Sequence, residues 1–336
     1  MGALRARAAA VLALALASCV GTGPTVTSTL SVWTEPDRAV VRLGERELVA
    51  YVHDPTYAIP HLFPLTSPSG KDLVEQHPEP YPHHRALWVV DRVQLEGGPD
   101  VDFYHHWKNH LDPERPELGH RHRIRHDALE LADVSNGVGR LGATLTWVSD
   151  TVGEDGSEDL AAGSPVLDQA FVVRVLDLGE GEALLDLAWT LSAAHGPVTF
   201  RSDWVHYAWP YLRMDPAFAG EAGGTILSDS GATGQADTNE DYHRWIDYSN
   251  TVDGVREGVA VFVLPTEDGQ LPKWLTREYG TFGPRRVDDF SGTGFVLPAG
   301  ASLTGRAGIY VHGDADADEL EARYDEYLDW IEGDRR

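Results

Sequence analysis

Leu185-Asp186-Leu187-Ala188-Trp189-Thr190-Leu191-Ser192-Ala193 alternates large apolar residues with small or polar ones over nine positions. A two-residue period places successive side chains on opposite faces of a strand, so this stretch predicts a half-buried β-strand. Leu141, Ala143, Leu145 and Trp147 repeat the pattern, as do Phe171, Val173 and Val175. Further strands are expected at Ala39–Leu43, Glu47–Val52, Ala86–Leu95, Ile124–Val134, Gly258–Leu264 and Leu303–His312. Ser135-Asn136-Gly137 and Pro298-Ala299-Gly300 read as turns, and residues 150–164 as an acidic hairpin tip. Only residues 316–332 look helical. There Leu320, Tyr324, Tyr327, Leu328 and Ile331 fall at helical spacing, behind an acidic first turn of Asp316, Asp318 and Glu319. Strands without βαβ alternation predict an all-β protein: a large antiparallel β-sandwich closed by one C-terminal helix. With no repeat and no internal linker, residues 31–336 are expected to form one domain.

The N-terminus has a different character. Arg5 and Arg7 precede an apolar run, Ala8–Ala17, that is too short to span a bilayer. Leu16-Ala17-Ser18-Cys19 then resembles a lipobox, in which the cysteine becomes the lipidated first residue of the mature chain. Residues 1–18 are therefore expected to be a lipoprotein signal peptide, Cys19 the lipidation site, and residues 19–30 a flexible tether. That arrangement predicts a bacterial cell-envelope protein held to the membrane through its lipid alone. Cys19 is the only cysteine, which leaves the folded domain without disulfides or a thiol nucleophile.

Charge excludes one class of partner. The chain has 53 acidic and 27 basic residues, a formal net charge of −26. Loss of Arg5 and Arg7 with the signal leaves 25 basic residues and a charge of −28. A field of that sign repels phosphate backbones, so nucleic acid is not an expected partner. The sequence does not set the oligomeric state.

Histidine is unevenly distributed: eleven of the 15 lie between His53 and His126. The densest motif is Tyr81-Pro82-His83-His84-Arg85-Ala86-Leu87-Trp88, at the entry to an expected strand. Imidazoles and a guanidinium there suit general acid/base chemistry or the binding of oxygen-rich ligands. Asp102-Phe103-Tyr104-His105-His106 repeats the theme. In Gly119–Asp127, Arg121, Arg123 and Arg125 would share one strand face, a local patch suited to an anionic sugar. His120 and His122 would share the other face, but no cupin-type ligand set follows, so no metal site is expected. The C-terminal half adds Arg213, His243, Trp245, Arg277, Glu278, Tyr279 and His312. Aromatic rings beside arginine, histidine and carboxylates are typical of saccharide sites. No G-x-S-x-G elbow, Walker loop or dinucleotide-binding glycine motif is present, so no cofactor is expected.

Taken together, the motifs resemble one family of secreted or lipid-anchored bacterial proteins, commonly labelled PmoA-like or "methane oxygenase PmoA". The resemblance runs from about Tyr57 to His312. It rests on Phe63–Gly70, His77-Pro78 with Pro82–Trp88, Val101-Asp102-Phe103, His243–Tyr248, Arg277-Glu278-Tyr279-Gly280 and Val311-His312-Gly313. Ala86 stands where the family usually has glycine. Methane oxidation is discarded on physical grounds, because no segment after the signal is apolar enough to span a membrane. The resemblance implies a galactose-mutarotase-like supersandwich, a class that includes epimerases, lyases and glycosidase-associated domains. The leading expectation is an envelope lipoprotein that binds and processes a carbohydrate by general acid/base chemistry. His83, His84, Arg85, His243, Glu278 and His312 are the candidate catalytic residues. Arg213, Trp88, Trp245, Arg277 and Tyr279 are the candidate binding residues. A non-catalytic glycan-binding lipoprotein and a His-rich metal-binding lipoprotein are the alternatives.

Overall fold

The computed structural model describes residues 29–201, 208–266, 268–286 and 295–333. The expected signal peptide, Cys19 and the tether as far as residue 28 lie outside the described residues. The last tether position, Leu30, already begins a strand, Leu30–Thr34.

Two eight-stranded antiparallel sheets and a four-stranded one make up the body. The first sheet runs Leu30–Thr34, Arg38–Leu43, Arg46–Val52, His61–Leu65, Leu87–Trp88, Tyr211–Arg213, Thr281–Pro284, Trp274–Arg277. The second runs Thr225–Ser228, Trp245–Val252, Val255–Val263, Ser302–His312, Glu182–Ser192, Ser164–Gly179, Val138–Ser149, Arg123–Ser135. The strand that opened the sequence reading is thus central to the second sheet. Its Leu185, Leu187, Trp189 and Leu191 join Val41, Leu62, Leu87, Leu212 and Phe282 of the first sheet in one hydrophobic core. The sheets meet closely: the Tyr248 and Phe282 rings lie 4.7 Å apart.

Trp189 shows how tightly the interior is filled. It pairs across the ladder with Gly305, and a Cβ on Gly305 would meet the indole at 2.2 Å. The indole must turn or shift to make that room, and the cavity that Trp189 and Gly305 both line limits the cost. Gly305→Ala should therefore cost about 1–3 kcal/mol. Urea denaturation would check this, and an unchanged midpoint would show that Trp189 moves freely.

The C-terminal helix, Ala317–Gly333, covers the outer face of the second sheet. Leu320, Tyr324, Tyr327 and Ile331 pack there on Leu184, Trp245, Phe262 and Tyr310. Among the described residues no helix is long and apolar enough to cross a membrane.

One expected strand is two. Ala86–Leu95 divides into Leu87–Trp88, in the first sheet, and Arg92–Leu95, in the third. Between them the backbone turns its polar groups to new partners. The Trp209 indole donates to the Val90 carbonyl at 3.0 Å, and the Phe103 N–H to the Asp91 carbonyl at 3.2 Å. The loop following Ser149 returns to Ser164 as the expected acidic tip.

Candidate functional site

The outer face of the first sheet carries the chemistry, because of register and alternation. Trp88 pairs with Tyr211, Arg213 with Thr281, and Thr281 with Arg277. These residues therefore share one face, while Leu87, Leu212 and Phe282 turn inward to the core. Two loops, one before Leu87 and one after Asp102, bring further rings onto that face. The Tyr104 hydroxyl donates to the Tyr211 hydroxyl at 2.7 Å and lies 3.1 Å from His84 Nε2. Because Tyr104 already donates to Tyr211, His84 Nε2 is the donor in that contact. Trp88, Tyr104 and Tyr211 pack as one floor, with ring centroids 4.5–6.1 Å apart.

A continuous line of rings crosses this floor. The Arg213 guanidinium lies 5.0 Å from the Tyr279 ring, and Tyr279 stacks on Tyr81 at 5.2 Å. Tyr81 stacks on His84 at 5.0 Å, His84 meets His83 at 4.5 Å, and His83 meets His105 at 4.7 Å. The line ends in an ion pair at one side and a carboxylate–imidazole hydrogen bond at the other. Arg213 Nε binds Glu75 at 2.8 Å. His105 Nδ1 binds Asp102 at 2.6 Å. Tyr81, Tyr279 and His105 are half-buried, so the rim meets solvent while the floor does not.

Asp102 builds its own pair. One carboxylate oxygen accepts the His105 backbone N–H at 2.9 Å, and the other accepts Nδ1. Burial alone would raise the Asp102 carboxyl, but its bonds to His105 outweigh this and hold it below the usual range. An ionised carboxylate on Nδ1 fixes the imidazole tautomer and leaves Nε2 as the nitrogen for proton transfer. Burial raises the hydroxyls of Tyr211 and Tyr279 above the usual tyrosine range, so both stay protonated at neutral pH.

His83, His84, Trp88, Arg213 and Tyr279 are thus brought together, while Arg85 turns to Tyr57 and His77. Arg277 shares the face, but it is held by Asn239 at 2.6 Å. The Glu278 carboxylate accepts the Gln235 backbone N–H at 2.7 Å, at the start of the short helix Gly234–Thr238. His243, Trp245 and His312 lie elsewhere. Trp245 is in the cluster under the C-terminal helix, and its indole donates to Glu321 at 2.9 Å. His312 is fully buried and binds Asp247 at 2.8 Å on that same far face of the second sheet. His243 is buried 3.3 Å from Asp229. A whole sandwich, whose sheets pack about 10 Å apart, separates the far-face pair from the first sheet's outer face. The expected arginine patch is also spent internally: Arg123 pairs with Glu158 at 3.0 Å and Arg125 with Asp127 at 2.5 Å.

Tyr81, Asp102, Tyr104 and His105 lie within the motifs read from sequence without being singled out, and only the fold adds Tyr211 and Glu75 to them. A signal did exist for the dyad, since Asp and His stand three residues apart in Asp102–His105. Among the described residues no group of three or more His, Cys, Asp or Glu side chains is arranged to hold a metal ion. A separate cavity of about 720 Å³ lies between the sheets near Trp189, Trp209, Arg285 and Arg306, away from this line of rings.

The model of a family of unknown function, DUF6807, matches residues 38–325. No curated protein matches the chain. Among solved structures, it is similar to the GH36 α-galactosidase AgaA A355E D478A of Geobacillus stearothermophilus in complex with stachyose. That likeness has 11% identity and a TM-score of 0.38, over 84% of this chain and 40% of that one. An α-galactosidase of Lactobacillus brevis gives 8%, 0.37, 84% and 39% in the same order. A GalM/aldose epimerase homologue from C. elegans gives 8%, 0.29, 84% and 98%. The chain therefore spans about two fifths of the length of the α-galactosidases. Likeness at these scores carries no argument about chemistry.

Proposed function

Because the chain belongs to the DUF6807 family of unknown function, its activity has to come from its own site, and we propose that it binds and processes a carbohydrate there by general acid/base chemistry. The carrying observation is the line of half-buried rings with an Arg213–Glu75 pair at one end and an Asp102–His105 pair at the other. Tyr81 and Tyr279, stacked on their neighbours but half-buried, offer ring edges and hydroxyls at the rim, and the charged ends offer further partners for a sugar's hydroxyls. His105, positioned by Asp102, moves the proton. His83 lies against His105 as its neighbour in that transfer, and His84 acts through Tyr104 to hold the floor. The lipid anchor and the envelope location belong to the same proposal, and they rest on Leu16-Ala17-Ser18-Cys19.

A glycan-array screen of the purified protein, followed by turnover assays on the hits, tests the reading. His105→Ala and Asp102→Asn should lower turnover about a hundredfold with little change in glycan affinity. Tyr81→Ala should weaken affinity about tenfold. Turnover by His105→Ala at the parent's rate would remove the dyad from the mechanism. Retained binding and turnover in both His83→Ala and His84→Ala would move the site elsewhere. Glycan binding without turnover by the parent protein would leave a binding protein and not an enzyme.

A further inference from the structure

Four arginines are buried among the described residues: Arg85, Arg123, Arg213 and Arg285. Three have a carboxylate partner, namely Glu158, Glu75 and Glu240 in that order. Arg85 is the exception. It is 3% exposed, its Nε has no hydrogen-bond partner, and among the described residues no carboxylate lies within ion-pair distance. In a chain with 53 acidic residues this is not for want of anions. A buried charge without a counter-ion is costly, and folds seldom leave one in place.

The surroundings are neutral. Arg85 lies 5.0 Å from the Tyr57 ring. Burial, reinforced by the Arg85 charge, pushes His61 down to about 3 and lowers His106 and His110. These imidazoles are therefore uncharged at neutral pH. Burial also pushes Arg85 down to about 9, which still leaves it protonated there. The His77 ring packs against the Arg85 guanidinium, and His77 belongs to a surface loop where it is held in left-handed backbone at φ 58°. A ring on a surface loop, and not a carboxylate, thus covers the guanidinium.

We propose that Arg85 receives an oxyanion group carried by the ligand, a carboxylate or sulfate on an acidic sugar, which displaces His77. The proposal builds on the carbohydrate reading above by naming the ligand's charge.

The test is calorimetric titration at low ionic strength with matched probes. These are oligogalacturonate against a neutral galactose oligosaccharide, glucose 6-sulfate against glucose, and sodium sulfate against sodium chloride. At least one acidic sugar should bind ten times more tightly than its neutral partner. Arg85→Gln should erase that preference, and Arg85→Lys should keep part of it. His77→Gly, at an exposed site, should bind the acidic probe at least as tightly as the parent, and serves if the Arg85 variants do not fold. Neutral and acidic sugars binding alike would overturn the inference and leave the carbohydrate reading standing. Sulfate bound through Arg85 with no sugar bound would overturn both, leaving an adventitious anion site only. A tenfold loss of acidic-sugar affinity in His77→Gly would also overturn the inference, because it would make His77 the receptor.

Discussion

Replacing Asp186 with alanine should destabilise the protein by about 3–5 kcal/mol, read as a lower urea midpoint with an unchanged slope. Asp186 lies on the face of its strand away from the inter-sheet core and is 1% exposed, because the C-terminal helix covers it. Its carboxylate accepts Arg174 Nε at 2.9 Å, Arg306 Nε at 2.5 Å and Nη2 at 2.9 Å, and the Tyr327 hydroxyl at 2.9 Å. Removing it strands two part-buried guanidinium groups and unfastens the helix from the sheet. Asp186→Asn keeps an acceptor but not the charge, so it should lose less. A loss under about 1 kcal/mol would mean that both arginines reach water without disturbing the helix.

Acid should destabilise the protein well above the carboxylate range. Burial pushes His61 and His120 down to about 3, and it is also the main cause holding His106 far below the usual range. In the unfolded chain these residues titrate near pH 6.5. Between about pH 6.5 and 3 the unfolded state therefore binds protons that the native state does not, and stability falls as pH falls. Each such histidine contributes about 1.4 kcal/mol per pH unit, so the three together give about 4 kcal/mol per pH unit below about pH 6.5. His312 works in the opposite sense. Burial alone would lower it, but Asp247 outweighs this and its affinity for a proton is raised. Its contribution is present at low pH and fades as pH rises through its raised value, so it softens the slope near neutrality. Against an ordinary stability of about 5–15 kcal/mol, a loss of this size between pH 6.5 and 5 is a large share of the whole. Urea midpoints at pH 7, 6 and 5 should fall steadily, and equal midpoints would show that these imidazoles are already solvated.

The architecture was legible where one side of an element meets solvent or one core. The alternation at Leu185–Ala193 named the inward residues, and Leu320, Tyr324, Tyr327 and Ile331 named the buried stripe of the helix. It was less legible at Ala86–Leu95, where an unbroken apolar run does not reveal that the chain changes sheets at Val89–Asp91. The candidate site divided in the same way. His83, His84 and Trp88 are neighbours in sequence and stay together in space, Arg213 joins them through the strand register, and Tyr279 through its stacking on Tyr81. His243, Trp245 and His312 carry the same mixture of imidazole, aromatic and nearby acid. A buried polar network under a helix needs those residue types as much as a saccharide site does. Local composition does not separate the two. Only the parity of a residue on its strand, and the sheet to which that strand belongs, does so.

That parity has a consequence for how such a protein can change over generations. On Leu87–Trp88 and Tyr211–Arg213, each residue that faces the cluster of rings is flanked by one that faces the other sheet. Adjacent positions in the gene therefore answer to different packing demands, one set by the outer cluster and the other by the sandwich. Trp88, Tyr211 and Arg213 can change in concert with Tyr81, Tyr104 and Tyr279 while Leu87 and Leu212 stay under the constraint of the opposite sheet. A lineage built on this fold can remodel one layer without renegotiating the other.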